Sequence, residues 1–501
     1  MLSQTLKQLR RQNRIITATL VLITQLLSVY QVYALDLTIL FWGDRFAQSL
    51  PRTVTDSSGT YQVGGIGLLG GLVKAGRDFE PATLTFVVGG DLAGSGPAAL
   101  NRGLSEVKAL NKTGIDAYVP GLVDFGYGAR QLLKTLKSAD FPVVLANVVE
   151  TNKGPLFKSD TILTYAGLRV AVTGLISPRM LEVAPRPRLD GIIVSDPLEA
   201  ARSFVTTRRD SAEVLIALSQ CGWTMDSLIA AQIEGIDLIL ACHNYPDNFQ
   251  TFKVHRTVIA RAENGFSRLS RAALTYDMAR RTITDIRVDT LSISSKNAQS
   301  DFRLRKQAEF YDRQFTKKAK KQTGVLAVGW EVKPDAPGNF GFWTADALRS
   351  QAPSAHLGLV CNTHLGQSIP SGPLRRQDII AAAPFEEPVI VFQMNGAELY
   401  RTIERQMNSE TRFLSWSGLK LTAENGRIVK LMVGDYTVQD GDEYSVITTG
   451  RVWDNFTALT GLKSTERPRF QLSITVREVM FETVQIQRII ATGMDGRWEV
   501  K

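Results

Sequence analysis

Only three cysteines, Cys221, Cys242 and Cys361, occur in this 501-residue chain. That number excludes a disulfide framework as the source of its stability, although a single bridge stays open if the chain meets an oxidising compartment. Long low-complexity tracts are absent as well, and a hydrophobic content of 44% with 40 glycines marks a globular chain rather than a disordered one. Excess charge is also small. The formal charge is +9, but Lys7, Arg10, Arg11 and Arg14 supply four cations before residue 35 and no acid accompanies them, which leaves +5 for the rest. Without a clustered patch that is too little for a nucleic-acid binder of this size, so no nucleic-acid partner is expected. The one dense cluster is TKKAKKQ, residues 316–322. It closes the helical stretch DFRLRKQAEFYDRQF, whose Leu304, Ala308, Tyr311 and Phe315 share a face, and lysines at a helix C-terminus suit the helix dipole.

The chain is longer than one hydrophobic core normally serves, so two sizeable domains are expected. The first 34 residues stand apart: four cations lead into the apolar run IITATLVLITQLLS, and VYA then precedes Leu35. This is the pattern of an export signal, which implies a periplasmic or secreted protein starting at Leu35. Ile15 to Ala34 is also just long enough to span a bilayer, so an uncleaved anchor stays open as the one route to a membrane. From 35 to 298, LDLTILFW, TLTFVVGG, AYVPG, FPVVLAN, LRVAVTGLI, AEVLIALS and IDLILACH read as short strands buried on both faces. TVIARAENGFSRLSRAALTYD and TITDIRVDTLSI alternate and predict antiparallel strands. A helical linker covers 299–324, and a second, smaller α/β domain covers 325–501, with helices at NFGFWTADALRSQ and NGAELYRTIERQM. The expected class is α/β, of sandwich type: central sheets flanked by helices, then the smaller domain.

Ligands of open α/β sheets bind outside the carboxyl ends of the strands. Asp44 follows LTILFWG, Asp91 follows TFVVGG, Gln220 follows VLIALS and His243 follows LILAC. These four strand ends form a candidate cluster, although each residue alone also suits a turn or helix cap. A fifth turn, VPGLVDFGYGARQLL (119–133), occupies an equivalent place yet carries Leu122 and Val123 ahead of Asp124.

Taken in order, these segments resemble the 5′-nucleotidase family, a metallophosphoesterase domain followed by a C-terminal domain, which includes UDP-sugar hydrolases, cyclic-nucleotide phosphodiesterases and a sulfur-oxidising thiosulfohydrolase branch. TILFWGDRFAQ is similar to the family strand ending in Asp-x-His-Gly, VVGGDLAGSGP to its Gly-Asp turn, and the 119–133 turn to its Gly-Asn-His-Glu turn. LSQCG and ILACHNYP stand where the family has Leu-Ser-His-x-Gly and Gly-Gly-His-Ser-His. In the second domain NFGFWTADALR, SIPSGPLRRQDIIAAAPF and VIVFQMNGAELYRTIE follow the family order.

The resemblance implies two divalent metals held by Asp, His, Asp, Asn and further His, with a bridging carboxylate between the cations. Asp44 matches the first carboxylate, Asp91 the bridging one and His243 one imidazole. Phe46, Leu122, Gln220 and Tyr245 stand where the other ligands belong, and Val123 replaces the histidine that assists the leaving group, so only Asp124 keeps the acidic character of its position. Hydrocarbon side chains give a metal no lone pair, so the dinuclear centre is expected to be lost and no cofactor is expected. The alternative is one Mn²⁺, Fe²⁺ or Zn²⁺ on Asp44, Asp91 and His243, with Gln220 or Tyr245. Cys221 and Cys242 adjoin site residues on strand ends, where neighbouring side chains face opposite ways; they read as small buried hydrophobes or a mutual bridge.

In the second domain Asn362 and Gln367 stand in the family's arginine-bearing Gly-rich loop, with Gln367 in place of the phosphate-gripping arginine. Phe413 or Trp416, with Trp453 or Phe456, are the candidates for an aromatic clamp on a base, core packing being the plain alternative. The resulting expectation is an exported, non-hydrolytic relative that binds a nucleotide or nucleoside, or an unidentified protein partner. The alternative is a hydrolase of nucleotide phosphoesters, or related sulfur esters, with a reduced, mononuclear site. A purely structural envelope partner is the third reading.

Overall fold

The computed structural model describes residues 34–501 apart from 58, 166, 183, 244–250, 264, 409–411 and 464–466. The leader sequence, except Ala34, and Tyr245 therefore lie outside the described residues. Two large sheets build the first domain, with a three-stranded and a two-stranded sheet beside them. One has five strands in the order Thr282–Ser292, Arg268–Asp277, Ala34–Trp42, Thr83–Val87, Ala117–Tyr118. The other has six, in the order Thr251–Val254, Thr257–Arg261, Leu238–Ala241, Val214–Gln220, Leu168–Ile176, Asp160–Tyr165. A single apolar core joins them, with Ile39, Phe86 and Tyr118 from the first and Val172, Leu218 and Leu240 from the second. Every residue of Val214–Gln220 is buried, which is why that segment reads as a continuous apolar run rather than an alternating one.

Arg268–Asp277 and Thr282–Ser292 pair antiparallel, with a bulge at Thr275/Tyr276, in keeping with their alternating pattern. FPVVLAN differs from its expected strand: only isolated bridges form there, Val143 to Tyr118 and Val144 to Lys158. Its Phe141, Val144 and Leu145 are buried as loop residues, anchored by Asn147, whose side chain donates to Ile176 O and accepts from Ile176 N–H at 2.8 and 3.0 Å. Short apolar runs report burial more directly than conformation.

The connecting helix runs Phe302–Ala319 and is capped by Asp301, whose carboxylate accepts from Leu304 N–H at 2.9 Å. The second domain centres on a five-stranded sheet ordered Leu414–Ser417, Leu357–Cys361, Glu443–Thr449, Pro388–Asn395, Arg469–Thr475. Helices Asn339–Ser350, Gly396–Met407 and Val476–Gln487 accompany it. Asn395 and Glu398 form a capping box that starts Gly396–Met407 at the polar end of its strand. All three cysteines are free thiols, so Cys221 and Cys242 are not bridged. Among the described residues no helix is long and apolar enough to cross a membrane.

Candidate functional site

The strand Ala34–Trp42 ends in a tightly wound loop in which Asp44, Phe46 and Ala47 take φ of +46°, +52° and +55°. Non-glycine residues adopt this region at a cost of order 1 kcal/mol each, so the surroundings must hold the loop in place. Asp44 N–H donates to Gly89 O at 2.9 Å and Phe46 N–H to Gly90 O at 2.8 Å. Gly90 has to be glycine: a Cβ there would lie 2.2 Å from Asp44 Oδ1.

This winding turns Arg45 inward, where it is fully buried. Its Nε donates to Asp91 Oδ2 at 2.9 Å, its Nη2 to Glu106 Oε2 at 2.7 Å and its Nη1 to Ser49 Oγ at 3.0 Å. Trp42 Nε1 adds a fourth bond, to Asp91 Oδ2 at 3.1 Å. The carboxylate that the resemblance assigns to bridging two cations is thus already paired with a guanidinium of the same chain. Sequence reasoning missed Arg45 because it is the intervening residue of the Asp-x-His pattern; the signal available was a lone arginine between two site positions.

The greasy turn forms a 3-10 segment, Leu122–Tyr127, before the helix Ala129–Leu136. Leu122 is buried in the main core. Asp124 is saturated: Oδ2 accepts from Gly90 N–H, Gly121 N–H and Tyr118 Oη at 3.0, 2.7 and 2.6 Å, and Oδ1 from Leu92 N–H at 2.9 Å. Burial nevertheless raises its pKa to about 6. Its carboxylate holds two loops together, which occupies the lone pairs that a general acid or base would use.

Asp44, Gln220 and Cys242 converge. Burial raises the Asp44 pKa to about 7, against hydrogen bonds from Cys242 and Gln220 and assisted by the charges of Asp124 and Asp91. Gln220 Nε2 donates to Val88 O, while its Oε1 and Asp91 Oδ1 are buried acceptors without a partner. The expectation that Cys242 faces away from the site residues is corrected here: it is buried as expected of a small hydrophobe, but the strand stops at Ala241, so strand alternation no longer applies, and the thiol bonds Asp44. Cys221 is half-buried and its amide donates to Ser219 Oγ at 3.1 Å. His243 takes φ +69°, and burial, with Arg179 nearby, lowers its pKa to about 4. The donors present do not fit a two-cation shell. Arg45 holds one carboxylate and hydrocarbon fills two ligand positions; among the described residues no group of three or more His, Cys, Asp or Glu is placed to hold a metal.

The second-domain candidates are mostly interior. Asn362 is buried, with its Nδ2 donating to Lys333 O and Ala336 O at 2.8 and 3.0 Å and its Oδ1 accepting from Ser415 Oγ at 2.7 Å. Phe413 packs edge-on to Phe342 and Trp498. Trp416 is buried and donates to Gln406 Oε1 at 3.0 Å, and Trp453 and Phe456 pack together against Phe392 in the domain core. None of these four rings stands open as one side of a sandwich. Gln367 is exposed.

Residues 323–461 match the family model of the 5′-nucleotidase C-terminal domain. A 5′-nucleotidase of Vibrio cholerae is 20% identical over 417 residues, covering 72% of this chain and 75% of that one. The solved structure of a 5′-nucleotidase precursor from Thermus thermophilus superposes with a TM-score of 0.68 at 20% identity, covering 93% of this chain and 99% of the other. The second domain belongs to the 5′-nucleotidase C-terminal domain family, and the whole chain has the two-domain fold of the 5′-nucleotidases. The match to the mouse 5′-nucleotidase, 27% identical over 42% of this chain, spans only 38% of that enzyme. Taken alone, these names fit a nucleotidase-type hydrolase better than a binding protein.

The second domain packs directly on the loop that carries Phe46. Phe46 meets Phe385 edge-on, with ring centroids 5.5 Å apart. Arg188 of the first domain bridges Glu386 at 2.9 Å and Glu478 at 2.6 Å, and Arg477 pairs with Glu386. Phe385 closes the segment SIPSGPLRRQDIIAAAPF, but nothing in the sequence marks it, Glu386 or Arg188 as an inter-domain contact; only the packing of the domains reveals that. Close by, His364 Nδ1 is buried without a partner, and burial, then the charges of Arg451 and Arg412, lowers its pKa to about 3. Because the folded state favours neutral imidazole, His364 contributes stability that is complete above its ordinary value of 6.5 and is lost as pH falls towards 3. His364→Asn is therefore expected to flatten the acid limb of a stability–pH curve between those values. An unchanged limb would mean that the ring is solvated.

Proposed function

We propose that this chain is a 5′-nucleotidase-family protein that binds a nucleotide or nucleoside, or a protein partner, without dinuclear phosphoester hydrolysis. The observation supporting this reading is the Arg45 guanidinium on Asp91 and Glu106. A buried fixed cation satisfies the charge that bound metals would otherwise neutralise, and it repels them from the same carboxylate. Leu122 and Phe46 add hydrocarbon where donors are needed. Of the second-domain candidates, Gln367 is open to a ligand without rearrangement. We place the working domain limits at 35–298, 299–324 and 325–501, and propose export to the periplasm or outside the cell, by a cleaved signal or with an uncleaved anchor.

A second reading, hydrolysis of phosphate or sulfur esters with a single Mn²⁺, Fe²⁺ or Zn²⁺, is favoured by the two orphan acceptors, Asp91 Oδ1 and Gln220 Oε1, and by the names of the relatives. Metal analysis of the purified full chain, with turnover of nucleoside monophosphates and bis-nitrophenyl phosphate in added Mn²⁺ or Zn²⁺, separates the two. Substoichiometric metal and no turnover are expected. Stoichiometric metal with turnover overturns the first reading.

A further inference from the structure

The apolar stripe of the connecting helix is only half used. Leu304 and Ala308 are 1% and 7% exposed, but Tyr311 and Phe315, one and two turns further on, are only partly covered. They face a cavity of about 520 Å³ at the junction of the first domain, the connecting helix and the second-domain helix Arg376–Ala382. That volume lies within the range of small-molecule sites. We infer that this cavity binds a flat, uncharged heteroaromatic of nucleobase or nucleoside type. The inference rests on the reading that the chain binds nucleotide-like molecules, and it deepens that reading by assigning the ligand class and the place.

Four features carry it. Tyr311 and Phe315 supply aromatic faces from one helix, and such faces stack on bases. Phe315 packs closely on Gly96, where a Cβ would meet its ring at 2.4 Å. Carboxamides arrive from both sides, Gln307 from the connecting helix and Gln377 from the second domain. Gln307 Nε2 is engaged with Ser105 O at 3.2 Å, leaving its oxygen as acceptor, while Gln377 can both donate and accept, the complement of a base edge. Charge argues against a phosphate. Glu106 forms part of the wall and is already paired with Arg45, Asp312 adds a second carboxylate, and Arg52 is engaged with Gln48 at 2.7 Å and over the Phe266 ring at 4.6 Å. A nucleoside should therefore bind more tightly than its 5′-monophosphate.

The test titrates the full chain with adenosine, guanosine, uridine and cytidine and with their 5′-monophosphates, read by calorimetry and thermal shift. At least one nucleoside is expected to bind, more tightly than its monophosphate. Tyr311→Ala should weaken it roughly 10-fold or more, and Ala308→Phe, which fills the cavity, should abolish it. If Ala308→Phe proves unfolded, Tyr311→Ala and Gln377→Ala carry the test. Binding left unchanged by Tyr311→Ala and by Gln377→Ala, or monophosphates preferred over nucleosides, overturns this site while leaving nucleotide binding elsewhere in force. No binding by any compound overturns both.

Discussion

Replacing Arg45 with methionine is expected to destabilise the protein by about 3–5 kcal/mol, the loss typical of removing one partner from a buried ion pair. The guanidinium lies between Asp91 and Glu106, and all three are essentially solvent-free. Methionine keeps much of the length and volume but leaves two carboxylates inside the protein with no cation. Ser49, Ser105 and Trp42 still donate to them, so the remaining cost is mainly charge rather than hydrogen bonding. Arg45→Lys should cost less, because it retains the charge and loses the fork that reaches both acids at once. Adding Asp91→Asn to Arg45→Met should recover part of the loss, and that non-additivity identifies the pair as the cause. Chemical denaturation of wild type, Arg45→Met, Arg45→Lys, Asp91→Asn and the double variant measures this. A single-variant loss below about 1 kcal/mol would show that water or another group serves these carboxylates.

Asp44→Asn is expected to raise stability at neutral pH, the reverse of what removing a metal ligand would do. The Asp44 pKa rises from an ordinary 3.8 to about 7 in the folded state because burial penalises the ionised form. The folded protein therefore binds a proton more tightly than the unfolded chain does. Asp44 contributes most below pH 3.8, and that contribution is lost as pH rises through about 7. Above that pH the ionised side chain costs at most about 4 kcal/mol, at 1.36 kcal/mol per pKa unit. The amide removes this cost and still accepts from Cys242 through its oxygen. Melting temperatures of wild type and Asp44→Asn should thus diverge at pH 8 and converge near pH 4. If Asp44→Asn instead lowers the melting temperature at pH 8, and added Mn²⁺ or Zn²⁺ stabilises only the wild type, Asp44 holds a metal and the mononuclear reading prevails.

The legibility of this chain divides by the range of the interactions involved. Val214–Leu218 and Ile39–Trp42 were readable because a strand segment buried on both faces appears as a continuous apolar run. The helix Gly396–Met407 was readable within NGAELYRTIERQM, and the structure shows its start fixed locally, by a cap between Asn395 and Glu398. The same local rule failed at FPVVLAN, where burial in the core demanded apolar side chains without demanding a strand. It failed again at Cys242, one residue beyond the strand end, where the backbone no longer alternates.

The sequence by itself determined the alternation of apolar runs and turns, the family order of motifs, and the loss of lone pairs at Phe46, Leu122 and Val123, because each depends on side-chain chemistry at one position or on near neighbours. Only the tertiary structure decided what replaced them. Arg45 reaches acids 46 and 61 residues away in the chain, and the Phe46–Phe385 contact joins two domains. The physical reason is that a charge finds its partner by proximity in space, and that proximity exists only once the loop after the first strand is wound against the glycine turn at 89–90.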